Sequence, residues 1–287
     1  MEFLFADWLI SDWLISDWLG TPAWFWLAFM GLVVLLTAFD LGVLHKEDKA
    51  MGIGESLRLT AFYITIALAF GAWVWAEKGA DLGMKYYTGF FIEKALSIDN
   101  VFVISLIFTF FAIPAKYQYR ALLWGIIAVI FLRGGMIAGG AALVERAYWV
   151  LYIFAAFLVF TGIKMFFTSD HDPDIGNNAA VRWISRHMRV TKELHDQHFF
   201  VKVTDPKTGK LVNAATPLFL ALVVINLADL VFAVDSVPAI FAITNDPFIV
   251  FTSNIFAILC LRALYFLLAD MAERFHLLKF RLAVVMM

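Results

Sequence analysis

Apolar stretches recur along the chain between short polar breaks, near 24–44, 58–76, 86–112, 120–143, 148–168, 215–243 and 249–270. A helix rising 1.5 Å per residue needs about twenty residues to cross a hydrocarbon core about 30 Å thick, so each stretch predicts a membrane-spanning helix. A further run starts at 277 and reaches Met287 after eleven residues, too few for a crossing. The expected fold is all-α, a polytopic helical membrane protein. Residues 1–20 form an extracytoplasmic segment, 21–85 two N-terminal spans, 86–168 three spans, 169–214 a soluble loop and 215–287 the remaining spans.

Composition agrees: 62% of the 287 residues are hydrophobic and only 16% charged, too few to cover a soluble surface. The first 45 residues hold no Lys or Arg, so the basic start of a secretory signal peptide is absent and the N-terminus is expected to be retained. Lys and Arg number fifteen in the odd connections and three in the even ones, which orients the N-terminus outside and the 169–214 loop in the cytoplasm. The repeated "DWLISDWLISDWL" sets Asp7, Asp12 and Asp17 about 140° apart in turn, so they share no helix face. Its Trp residues fit a membrane interface.

Acidic residues interrupt the apolar spans at Asp40, Glu93, Asp99, Asp229 and Asp235. Two of the interruptions echo each other: "EKALSIDNV" from Glu93 aligns with "DLVFAVDSV" from Asp229, each an acid, five residues, then Asp, a small polar residue and Val. Arg133 in "FLRGG" then aligns with Arg262 in "CLRAL". Two three-span units related in this way lie inverted in the membrane, as in many secondary transporters. By this alignment the second unit stops opposite Phe160, which reads as a truncated last helix.

Charged side chains at membrane depth are costly, so acids at repeat-equivalent positions point to function. Carboxylates with Asn100 and Ser236 beside them offer hard oxygen ligands suited to Mg²⁺, Ca²⁺ or Mn²⁺. Excess negative charge would be offset by protonation or by Arg133 and Arg262, and protons released on metal binding would couple ion movement to H⁺. Six helical steps leave Glu93 and Asp99 about 120° and about 9 Å apart, so both ligate one ion only if the helix breaks, for which Pro238 gives a reason in the second unit. Otherwise the Asp residues bind and the upstream acids relay protons. Asp99 and Asp235 are the favoured ligands, meeting at mid-membrane; Glu93, Asp229, Asn100 and Ser236 complete the candidate metal set, with Asp40, Asn226, Arg133 and Arg262 accessory. Lys94 has no assigned role.

The motifs "EKALSIDNVFV", "DLVFAVDSVPAIFAIT" and "DPFIVFTSNIFAILCLRALYF" resemble the TerC/Alx family over about residues 24–287. The resemblance implies a bacterial inner-membrane protein of the tellurite-resistance, alkaline-response and manganese-export type, with Mn²⁺ as transported ion and Asp99 and Asp235 as the essential site. It also implies Glu where this chain has Asn226, and Gly where it has Cys260 and Arg281. The expected function is proton-coupled export of a divalent cation, Mn²⁺ first; the alternative is a non-transporting scaffold or stress-response partner. Neither a prosthetic group, a nucleic-acid partner nor an enzymatic activity is expected, because no Ser/His or His/His constellation lies at membrane depth. In the loop, "TSDHDPD" and "ELHDQH" cluster His and Asp, with His195 and His198 three apart; a regulatory metal site and plain solvated loop both remain open. "VTDPKTGKLVNAATP" predicts a turn or short hairpin at 205–209.

Overall fold

The computed structural model describes residues 15–43, 52–167, 189–191, 193–204 and 211–285, with backbone alone at 41–43, 162, 164–167, 204 and 269–285. The helices are α1 (Ala23–Val43), α2 (Ile53–Lys78), α3 (Ala80–Phe110), α4 (Ala115–Arg146), α5 (Val150–Phe167), α6 (Pro217–Phe241) and α7 (Pro247–Val285). Stretches of α1, α2, α4, α6 and α7 are long and apolar enough to cross a membrane. Helix α3 has the length, and Glu93, Lys94 and Asp99 are what set it apart. Pro217 opens α6 in the first turn, where its missing N–H costs nothing. Gly79 alone joins α2 to α3 at φ 90°, a backbone conformation that side chains disfavour, and so turns the chain back in one residue.

Helix α7 is the axis: 18 of the 22 residues in its apolar stretch Pro247–Leu268 are buried. Helices α3 and α2 pack on it most extensively, α4 less so, while α6 lies against α4 and α3 and α5 against α6. Gly89 sets the closest approach of α3, since a Cβ there would meet Ser253 Oγ at 2.9 Å. The continuous α7 differs from the expected break between 270 and 277.

Two faces are identifiable. On the first, Lys78 at the end of α2 donates to Thr21 Oγ1 at 2.7 Å and faces Asp246 at 3.6 Å. On the second, Tyr117 donates to Asp196 at 3.2 Å and Arg120 to Gln197 at 3.2 Å, beside the start of α4. There β1 (Asp17–Trp18) and β2 (Thr21–Pro22) of the N-terminal hairpin have no part; the strands are β3 (Arg189–Val190), β4 (Phe200–Thr204) and β5 (Leu211–Ala215), in the order β3-β5-β4. Strands β4 and β5 pair antiparallel across 205–210, as the hairpin expectation had it, with Phe200 opposite Ala215. Thr216 then donates to His198 O at 2.8 Å, fixing the start of α6 to the same face. The ends of α3 and the starts of α4 and α6 therefore share the second face, and α3 runs antiparallel to α6.

Candidate cation site between the repeats

Arg133, 1% exposed at the middle of α4, gathers side chains from three other helices. Its Nε and Nη2 donate to the two oxygens of Asp229 on α6 at 3.0 and 2.8 Å, a bidentate fork. Nη1 donates to Glu93 on α3, to Asn254 Oδ1 on α7 at 3.0 Å and to Ser236 Oγ on α6 at 3.3 Å. Glu93 is 1% exposed, and the Asp229 side chain 12%. The two acids that the repeat makes equivalent thus hold a single guanidinium, and the cluster carries one net negative charge when all three groups are ionised.

Capacity is left over. Glu93 Oε2, Asn254 Nδ2 and Asn226 Oδ1 are buried without hydrogen-bond partners. Asn226 spends its amide on Leu222 O of its own helix at 2.7 Å. Asp229 and Asn100 also line a cavity of 30 Å³ between α3, α4, α6 and α7, whose other walls are apolar. Lys94 Nζ is likewise buried without a partner.

The second acids of the motifs do not meet. Helix α3 is unbroken through Glu93 and Asp99, and α6 runs through Asp229 and Asp235, with Pro238 only in its last turn. Because the helices are antiparallel and Glu93 and Asp229 share one level, Asp99 lies about 9 Å toward the second face and Asp235 about 9 Å toward the first. They stand about 18 Å apart along the helix axes, far beyond the reach of one ion at bonds of about 2.5 Å. Asp99 is exposed beside Phe102, Asp235 half-buried beside Val231 and Val234. Among the described residues neither makes a hydrogen bond or ion pair, and no three His, Cys, Asp or Glu side chains converge to hold a metal.

Asp40 and Arg262 also leave the central site. They pair with each other, with Tyr63 donating to Asp40 Oδ2 at 2.8 Å and Tyr119 to Oδ1 at 3.2 Å. His195 and His198 are exposed, and His195 Nδ1 lies 3.1 Å from Glu193 O. The "TSDHDPD" cluster, Asp7 and Asp12 lie outside the described residues. Sequence reasoning passed over Asn254, Tyr63 and Tyr119. Asn254 carried a signal, an amide inside the apolar run "FTSNIFAILC"; nothing in the sequence tied the two tyrosines to Asp40.

The chain is 48% identical over 261 residues to a membrane protein of Rickettsia bellii, covering 91% of this chain and 84% of that one. It is 42% identical over 267 residues to a membrane protein of Myxococcus xanthus, covering 93% and 82%. To the Escherichia coli K12 protein named as a membrane-bound redox modulator, Alx, it is 44% identical over 276 residues, covering 93% and 84%. No solved structure matches the chain. Residues 78–287, which contain both acid motifs and both arginines, match the profile of the integral membrane protein TerC family, and the chain belongs to that family.

Proposed function

We propose that the protein is a secondary transporter exporting a divalent cation, Mn²⁺, across a bacterial inner membrane in exchange for protons, with its N-terminus outside. The observation that carries this reading is the pair of repeat-related acids, Glu93 and Asp229, held on one buried guanidinium from opposite repeats. Paired carboxylates with Ser236 and Asn254 are hard oxygen ligands, and Arg133 occupies the place of a cation between them. A divalent ion binds when Arg133 swings off the carboxylates; protonation of the acids neutralises them when the ion leaves. Asp99 and Asp235 flank this centre at opposite depths, as stations toward the cytoplasmic and outer sides. The choice of Mn²⁺ rests on the family resemblance, the orientation on the Lys and Arg distribution.

A thiol route to the redox modulation in the Escherichia coli relative's name has little to work with here. The chain has one cysteine, Cys260, fully buried on α7, so it forms no intramolecular disulfide. The test is Mn²⁺ uptake into liposomes holding the purified protein. Glu93→Gln and Asp229→Asn should abolish flux while the protein remains folded, and Asp99→Ala and Asp235→Ala should reduce it. Wild-type liposomes without flux would favour the scaffold reading. Unchanged flux in all four variants would place the path elsewhere.

A further inference from the structure

Two charged residues of α3 have no partner. Asp99 is exposed and makes no hydrogen bond or ion pair among the described residues, and Lys94 keeps a buried Nζ that meets no acceptor. Residue 95 is the midpoint of Ala80–Phe110, so Lys94 lies about 1.5 Å and Asp99 about 6 Å from the middle of the helix, both inside a hydrocarbon core about 30 Å thick. A carboxylate turned to lipid at that depth is costly. Neither residue relieves the other within the chain, because five helical steps set them about 140° apart.

The face that carries Asp99 is patterned. Exposed residues recur at Phe91, Ala95, Ile98 and Phe102, alternately four and three apart, which is the a/d seam of a heptad repeat. With Ala95 and Phe102 at a, Lys94 is a g residue and Asp99 the next e residue, one on each flank. On the Lys94 flank, Tyr87, one heptad earlier, donates to Leu68 O of α2 at 2.8 Å. On the Asp99 flank, Asn100 and Val103 line the cavity with Ile225 and Ala228 of α6. The seam between them is open, with Phe91 56% and Phe102 65% exposed. Apolar exposure alone is ordinary at a lipid surface; orphan charges on both flanks are not.

We infer that α3 is the contact helix of a homodimer, in which Lys94 of each copy pairs with Asp99 of the other. Copies of one topology are related by a two-fold axis along the membrane normal, so their α3 helices run parallel and equal residues stand at equal depth. In a parallel pair the g residue of one heptad meets the e residue of the partner's next heptad, five positions on. Lys94 and Asp99 are five apart. Two pairs form per dimer, and both orphan charges are satisfied at once. Arg133 and Arg262 are buried and already paired, which leaves Lys94 as the cation that the chain can offer to Asp99. Its amine has no hydrogen bond to give up when the side chain swings outward. The dimer does not rest on the transport reading, and its test reads association rather than flux. The pairs exist only between copies, so the unfolding of a detergent-separated monomer is indifferent to Asp99.

The test uses single cysteines in a Cys260→Ala background, oxidised with copper phenanthroline in liposomes over a range of protein-to-lipid ratios. Ala95→Cys, on the seam, should cross-link to a dimer at dilutions where Phe131→Cys, 74% exposed on α4, does not. Adding Asp99→Lys or Lys94→Asp should weaken the dimer by about ten-fold or more, since each homodimer then holds two like-charged contacts. The double exchange of Lys94→Asp with Asp99→Lys should restore it, as should mixing the two single variants. Equal cross-linking at Ala95→Cys and Phe131→Cys, or a cross-link to a protein of another mass, overturns the dimer. Affinity unmoved by charge reversal, or not restored by the double exchange, overturns the pairing. Should the reversed chains fail to accumulate, Asp99→Asn and Lys94→Gln should each weaken the dimer about five- to ten-fold, and no weakening again overturns it.

Discussion

Arg133 and Arg262 occupy the same place in the two repeats and have become different things. Arg133 faces two carboxylates, one from each repeat, so its centre is short of positive charge and has an unpaired oxygen on Glu93. Arg262 faces one carboxylate from outside the repeats, and its centre is neutral. Only the first has anionic capacity to accept an added cation. The second has what a structural lock needs: matched charge, aromatic cover and partners on four helices. An inverted repeat supplies two equivalent positions, and the neighbours decide which binds and which holds.

The largest effect should come from Arg133→Gln, which leaves two buried carboxylates facing each other. Breaking a buried pair costs about 3–5 kcal/mol, and this variant should lie at or above the top of that range. Unfolding in detergent measures it, and Mn²⁺ should restore Arg133→Gln far more than it stabilises wild type. No restoration would mean that the acids do not accept the ion. Asp40→Asn should cost about 3–5 kcal/mol by leaving Arg262 unpaired, with no restoration by Mn²⁺. Restoration there would erase the distinction between the centres. Asn254→Ala, which removes a 3.0 Å bond to Arg133, should cost about 1.5–3 kcal/mol by the same unfolding measurement. Asp99→Asn, with no partner to lose, should change stability by about 0.5 kcal/mol or less; a large loss would reveal a contact absent from the described chain.

Much of this was legible in the chain. Apolar run length located the helices because the bilayer sets a length that sequence must meet, and self-similarity found both acid motifs and both arginines. The depth of Asp99 and Asp235 was also within reach: in antiparallel copies, six residues forward means opposite directions in the membrane, so equivalence at Glu93 and Asp229 excludes it six residues on. The Asp40–Arg262 contact was not legible. No periodicity or repeat relates α1 to α7, and the pairing exists only because packing brings the two helices together across more than two hundred residues of chain.

The burial of α7 has a consequence for biogenesis. All six other described helices leave the ribosome before the one they enclose. When α6 has been inserted, Arg133, Glu93 and Asp229 are all in the membrane and can pair, so the central cluster is available to a half-made protein. Asp40, inserted first, waits with its charge uncompensated until α7 brings Arg262. The two ion pairs thus mark two moments of assembly, an early one that draws the repeats together and a final one that closes the N-terminal helices over the finished bundle.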